Sequence, residues 1–218
     1  MNNTSPQRGH FIVVEGLEGA GKSTALSTIK RFLASKVGEI LVTREPGGTK
    51  AGEIIRHLLK DISDEPLNER AELLLFYAAR VQLLEQVIHP TLQRGGWVLA
   101  DRFELSTFAY QGGGRKLDEN VIECLSQFCL QDFQPDLTIF LDISPEIGLE
   151  RARKRGKTDR IEQESLHFFT EVYKSYHQRI SQLKNVVVID ASKPLPAVQY
   201  SIKSALEHYI ASSTLSRA

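Results

Sequence analysis

The sequence predicts an α/β fold: three layers, with a five-stranded parallel sheet carrying helices on both faces. Two observations carry this expectation. Five short apolar runs alternate with longer helical patterns, as a parallel sheet joined by crossover helices requires. The 218 residues contain no repeat and no low-complexity linker, so the alternation runs through one domain, expected over 9–218.

Each element follows from local chemistry. The run Phe11-Ile-Val-Val14 leads into a glycine-rich turn and a helix over 22–34. Residues 40–42 form the second strand, and its exit, Arg44-Glu-Pro-Gly-Gly48, is a loop by its proline and glycines. A short helix is expected over 51–59 and a long one over 69–92, which Pro90 kinks or ends. The third strand, 97–100, is closed by Asp101 and Arg102, and Gln111-Gly-Gly-Gly114 breaks the chain again. A helix over 118–130, a strand over 137–141, a helix from Pro145, a helix over 162–183, a strand over 186–189 and a C-terminal helix from Leu195 complete the order. Ligands of such sheets sit beyond the C-terminal strand ends. The loops at 16–22, 44–49, 101–114 and 142–160 are therefore the candidate ligand loops.

Composition removes several functional classes. Lys and Arg together number 27, as do Asp and Glu, so the net charge is zero. Neutralising a phosphate backbone needs a basic surplus, and no nucleic-acid partner is expected. The two cysteines, Cys124 and Cys129, are too few for a disulfide scaffold or a four-cysteine zinc site. They read as reduced thiols of a cytoplasmic protein. The longest apolar run, 73–79, is far short of the roughly 20 residues that span a bilayer, so no membrane association is expected. Residues 1–8 are polar, without the apolar centre of a signal peptide, and are expected to be a disordered leader.

The strongest motif is Gly16, Leu17, Glu18, Gly19, Ala20, Gly21, Lys22 and Ser23, which reads GxxxxGK[ST] between a strand and a helix. Its glycines let backbone N–H groups approach phosphate oxygens without a Cβ clash. The helix start adds a positive dipole end. Lys22 brings a point charge to the β- and γ-phosphates, and Ser23 a hydroxyl to Mg²⁺. This is a P-loop, and the fold class becomes a P-loop NTPase fold. Glu18 is unusual beside phosphates; it is either a solvated carboxylate or a contact to a second substrate's hydroxyl or a magnesium-bound water.

Other residues speak to that second substrate. Phe76 and Arg80 are i and i+4 on the long helix and share a face. An aromatic plane beside a guanidinium can stack a base and bond its edge, although taken alone the two also look like a core phenylalanine and a surface arginine. Asp101-Arg102 closes the third strand on the ligand edge, as a substrate contact or a structural ion pair. The segment Arg-Ala-Arg-Lys-Arg-Gly-Lys-Thr-Asp-Arg at 151–160 is strongly basic, with Gly156 as a hinge. Such mutual repulsion is relieved by a phosphate-rich partner, and the segment is expected to be a mobile lid over a triphosphate.

Together the P-loop, Thr43-Arg-Glu-Pro-Gly-Gly-Thr49, Phe76-Tyr-Ala-Ala-Arg80, Asp101-Arg102, Ala109-Tyr-Gln-Gly-Gly-Gly-Arg115 and Asp159-Arg-Ile-Glu162 closely resemble the bacterial thymidylate kinases over about residues 10 to 212. The resemblance implies phosphorylation of dTMP to dTDP with ATP and Mg²⁺, in dTTP biosynthesis, by a homodimer. It implies that Phe76 stacks on thymine and Arg80 bonds its O4 edge, with Thr107 and Gln111 beside the base. Tyr110 would crowd the ribose 2′ position, and Glu18 would face the 3′-hydroxyl or a nearby water. Arg102, with Arg56 as a weaker candidate, would hold the dTMP phosphate; Asp101 would orient Arg102 or a magnesium water. The P-loop carries Gly19 and Ala20 where one branch of the family has an arginine, so the catalytic arginine is expected in the lid. Arg155 fits best, with Arg151, Arg153 and Arg160 nearby. Phe103 departs from the Tyr or His that many members have after Asp-Arg.

The acceptor phosphate is already anionic, so the implied reaction needs alignment and charge stabilisation rather than a strong base. Two readings compete. A deoxynucleoside kinase would need a carboxylate base, for which Glu18 could serve. A non-catalytic nucleotide-dependent interaction protein would keep the P-loop and need neither Phe76 and Arg80 nor a lid.

Overall fold

The structure is a computed structural model that describes residues 8–156 and 159–215. Positions 1–7 of the expected leader and 157–158 of the expected lid lie outside the described residues. Arg8, assigned to the leader, bonds Asp136 at 2.9 Å.

Five strands, β1 (Phe11–Gly16), β2 (Ile40–Arg44), β3 (Trp97–Asp101), β4 (Leu137–Asp142) and β5 (Val186–Asp190), form one all-parallel sheet in the order β2-β3-β1-β4-β5. Each expected strand is present, one or two residues longer at its C-terminal end. The sheet is covered on both faces because β1 is apolar on both. Ile12 and Val14 join a core with Ile29, Leu33, Phe140, Phe169 and Tyr176. Phe11 and Val13 join another with Leu83, Ile88, Val98 and Phe103. The chain goes to one side of β1 for β2 and β3 and to the other for β4 and β5. That reversal opens a crevice at the C-terminal end of β1.

The helices are α1 (Lys22–Leu33), α2 (Lys50–Lys60), α3 (Glu69–Leu83), α4 (His89–Gln93), α5 (Glu104–Thr107), α6 (Glu119–Leu130), α7 (Pro145–Lys154), α8 (Leu166–Ile180) and α9 (Leu195–Leu215). Side-chain caps start many of them. Thr49, Asn68, Asp118, Ser144 and Ser165 each accept a backbone N–H from the first turn, at α2, α3, α6, α7 and α8.

Three expectations are corrected. The long helix over 69–92 is continuous to Gln93, but Leu84–Ile88 is π-helical. Pro90 follows directly on this widened turn, the kind of local irregularity at which a continuous helix takes up a proline. The break expected at Gln111–Gly114 is instead the end of a π-helical segment, Phe108–Gly114, with an i−5 bond from Arg115 N to Tyr110 O of 2.8 Å. Its glycines answer to packing. A Cβ on Gly113 would meet Ser175 Cβ at 2.5 Å, and one on Gly114 the Phe168 ring at 2.5 Å, so α8 presses directly on this backbone. The helix expected over 162–183 begins at Leu166, because the Ser165 hydroxyl caps it.

One further close approach joins the P-loop to α7. Gly19 has φ +73°, and a Cβ there would lie 2.0 Å from Gly148 O; a Cβ on Gly148 would lie 2.6 Å from Glu18 O. Gly148→Ala must therefore part loop and helix. The expected cost is about 1–3 kcal/mol, and a chain of this size loses about 2–4 °C of thermal midpoint per kcal/mol. A midpoint unchanged in thermal unfolding would show that the contact is not tight.

Candidate active site

The crevice is a cleft of about 390 Å³. Its walls bring together most residues singled out in the sequence. Glu18, Gly19, Gly21, Lys22 and Ser23 come from the P-loop, Arg56 from α2, Phe76 and Arg80 from α3, Asp101 and Arg102 from the end of β3, Thr107 from α5, Tyr110 and Gln111 from the π-helical segment, and Arg155 from beyond α7.

At one end stands the P-loop. Gly21 caps α1 with φ 91° and no side-chain bond, which leaves the first N–H groups of the helix for an anion. Lys22 Nζ donates to the carbonyls of Gly16 (3.0 Å) and Leu17 (2.8 Å). Burial, reinforced by the nearby Arg102, lowers its pKa to about 8. A polyanion would relieve both effects.

At the centre, Arg102 meets Glu18. Nη2 bonds Glu18 Oε1 at 2.6 Å and Tyr110 OH at 3.0 Å; Nη1 bonds Ser106 Oγ at 3.1 Å and Tyr176 OH at 3.0 Å. The Tyr110 hydroxyl donates to Glu18 Oε2 at 2.5 Å. Burial works against the Glu18 carboxylate, but Arg102, Lys22 and the Tyr110 hydroxyl together hold its pKa below the ordinary value. Arg102 has φ 69°, a left-handed conformation that costs a non-glycine residue roughly 1–2 kcal/mol. Its four side-chain bonds offset that strain, which aims the guanidinium into the cleft. Its partner is not Asp101: Asp101 Oδ1 is buried without a hydrogen-bond partner. Of the two roles expected for Asp101, orienting Arg102 finds no contact here.

The far end is built for a flat ligand. Phe76 is half-buried on the cleft wall. Arg80 is 1% exposed; Nε bonds Glu45 Oε2 at 2.8 Å and Nη2 bonds Thr107 Oγ1 at 2.9 Å. Burial would lower the guanidinium pKa, yet Glu45 opposite raises it, so Arg80 stays charged. Its Nη1 is buried with no partner. Arg56, anchored to Pro46 O at 2.8 Å, stands beside Arg44 across from the P-loop.

The lid arginines separate. Arg151 is on α7, lines the cleft and bonds Ala191 O at 2.9 Å. Arg155 pairs with Glu162 at 2.8 Å. Arg153 is exposed and does not line the cleft. Arg160 also lies off the cleft wall, bonded to Leu59 O at 3.1 Å and paired with Glu72.

Two buried carboxylates escaped the sequence reading. Glu15, wholly buried, accepts from Phe103 N (2.9 Å), Ser106 N (3.3 Å), Ser106 Oγ (2.6 Å) and Tyr176 OH (3.0 Å). Glu72 accepts from Gln111 Nε2 at 2.8 Å and pairs with Arg115 and Arg160. Both left a signal. Glu15 is a charge at the end of a buried strand, and Glu72, Phe76 and Arg80 recur every four residues along one face of α3.

A second hollow, of about 180 Å³, adjoins the P-loop between α1 and α9, lined by Gly21, Thr24, Arg151, Ala191, Lys193 and Gln199 among others. Gly21, Thr24 and Arg151 line both hollows, so the P-loop and the start of α1 stand where the two meet.

Comparison with known proteins agrees with this layout. The family model for thymidylate kinase matches residues 14–202. A thymidylate kinase of Legionella pneumophila strain Corby is 56% identical over 203 residues, covering 93% of this chain and 96% of that protein. One from Legionella pneumophila strain Paris is 55% identical over 203 residues, with the same coverage. With a match over nearly its whole length and identity at this level, the chain belongs to the thymidylate kinase family.

Proposed function

We propose that the chain phosphorylates dTMP to dTDP with ATP as donor. One observation carries the reading at residue level: the unpartnered Nη1 of Arg80, buried beside Phe76, shares a cleft with the P-loop. A donor buried without a partner costs about 1–3 kcal/mol, which an acceptor on a stacked base recovers. A deoxynucleoside kinase is less well supported, because Glu18, its needed base, is already bonded to Arg102 and Tyr110.

The roles follow from geometry. ATP lays its phosphates in the P-loop, where Lys22 leaves the carbonyls of Gly16 and Leu17 for phosphate oxygens. The donor base takes the hollow by Arg151 and Gln199. Thymine stacks on Phe76 with O4 toward Arg80; Tyr110 and Glu18 face the sugar, and Arg102 and Arg56 hold the acceptor phosphate. Mg²⁺ fits the residues present: Ser23 offers an exposed hydroxyl and Asp101 Oδ1 an unbonded buried oxygen. No group of three or more His, Cys, Asp or Glu side chains among the described residues could hold a metal, in keeping with an ion that keeps waters and phosphates as ligands. When bound it neutralises charge on the transferring phosphoryl group. Arg155 leaves Glu162 for the more concentrated charge of the transferring group.

We also infer one kinase domain from residue 9 onward, acting as a homodimer in the cytoplasm. Ile54 and Leu58 on α2, Leu74 on α3, and Val121 and Phe128 on α6 are exposed, Phe128 to 79%. These helices lie side by side, so the apolar residues belong to one helical layer. A second copy presenting the same layer would cover them isologously. No helix among the described residues is long and apolar enough to cross a membrane. Both cysteines are free thiols, as a reducing compartment favours.

Three outcomes test these roles. In turnover assays over a panel of nucleoside monophosphates dTMP is the best acceptor, and Arg80→Ala raises its KM by roughly 10- to 150-fold with KM for ATP nearly unchanged; equal damage to both substrates would move Arg80 out of base recognition. Arg155→Ala slows single-turnover transfer roughly a hundredfold with dTMP affinity retained, whereas an unaltered chemical step would clear that residue. Phe128→Glu combined with Leu74→Glu yields a monomer in sedimentation velocity; an intact dimer would put the interface on another face.

A further inference from the structure

The cleft holds a fixed pattern of donors and acceptors, and one residue outside it sets the pattern. Glu72 is 1% exposed and pairs with the guanidiniums of Arg115 and Arg160. Between two arginines it is ionised, and an ionised carboxylate only accepts. Gln111, whose amide lies 2.8 Å from it, must therefore turn its NH₂ toward Glu72. The other end of that amide, the acceptor Oε1, is left for the cleft that Gln111 lines. Beside it, the groups held by Arg80 and Thr107 have the reverse polarity. Arg80 has Nη1 free as a donor. The Thr107 oxygen already accepts from Arg80, so its proton is available to donate.

A thymine edge matches this arrangement: O4 accepts beside an N3–H that donates. A cytosine edge inverts it, with an amino donor at C4 beside a bare N3 acceptor. We propose that Glu72 is a positioning residue that locks the Gln111 amide, so that the cleft takes a pyrimidine with an N3–H and rejects one without it. The proposal rests on the assignment of dTMP as acceptor and deepens it. Burial strengthens the lock, since no water reaches Glu72 to support a rotated amide.

The test is the ratio of kcat/KM for dTMP over dCMP in the full-length enzyme. Glu72→Gln supplies an amide that can donate as well as accept, so Gln111 is free to rotate. The ratio should fall about tenfold or more, the worth of one well-placed hydrogen bond and its misplaced counterpart. Gln111→Leu should also lower it, and adding Glu72→Gln in that background should lower it no further. Arg160→Gln, which keeps the Glu72–Gln111 bond, should leave the ratio in place whatever it does to the rate. A ratio unmoved by Glu72→Gln, or one that falls equally in the Gln111→Leu background, overturns the proposal. If Glu72→Gln does not fold, Glu72→Asp decides: it keeps the charge between the two arginines but is one methylene too short to hold the Gln111 amide, so a lowered ratio upholds the proposal and an unchanged one overturns it. A wild-type enzyme that does not use dTMP would instead overturn the assignment of the acceptor.

Discussion

Glu15 is the constraint on which the rest of the site depends. It is the penultimate residue of the central strand, with no solvent exposure, and its carboxylate accepts from two backbone N–H groups and two hydroxyls. A buried carboxylate survives only with such a full complement of donors. The donors come from separate parts of the chain. Phe103 and Ser106 carry the turn after β3, and Tyr176 belongs to α8. One side chain on β1 thus fixes the start of α5 and the inner face of α8. The positive φ of Arg102 lies between these fixed points, and Ser106 and Tyr176 pass the constraint on by bonding its guanidinium. The next residue of β1, Gly16, begins the P-loop. The Arg102 guanidinium and the glycine-rich loop are therefore positioned from adjacent residues of one strand.

Much of the fold was legible because it is written in short-range patterns. β1 shows why: Phe11-Ile-Val-Val14 is apolar at every position, and both of its faces are buried. The errors fall where tertiary packing overrides local preference. Three consecutive glycines read as a break, yet Gly112, Gly113 and Gly114 extend a helical segment that α8 presses upon. Ser165 read as interior to a helix, although its hydroxyl begins one.

The site was legible to the extent that function resides in loops with distinctive residue types. The P-loop, Phe76, Arg80, Arg102 and Tyr110 lie on one cleft as their positions suggested. The buried acids were less legible. Glu15 and Glu72 left only a charge at the end of a buried strand and a four-residue spacing on α3, and their long-range partners are what show why they are buried. The lid segment shows the converse. Its arginines look equivalent in sequence, but Arg151 and Arg155 line the cleft, while Arg160 is drawn to Glu72 by a pairing 88 positions away.

The contact between α8 and the Gly113-Gly114 backbone has a consequence for how acceptor selectivity can change. Tyr110 and Gln111, which line the cleft, ride on the segment that this contact clamps. A side chain added at either glycine would have to displace Ser175 or Phe168. Divergence toward another acceptor cannot proceed by reshaping this wall, as it can where recognition residues sit on a free loop. It has to proceed by exchanging side chains on a fixed frame, each new one meeting the same inflexible neighbours. That makes the wall a demanding target for redesign, and its tolerance at each position is set by α8 rather than by the ligand.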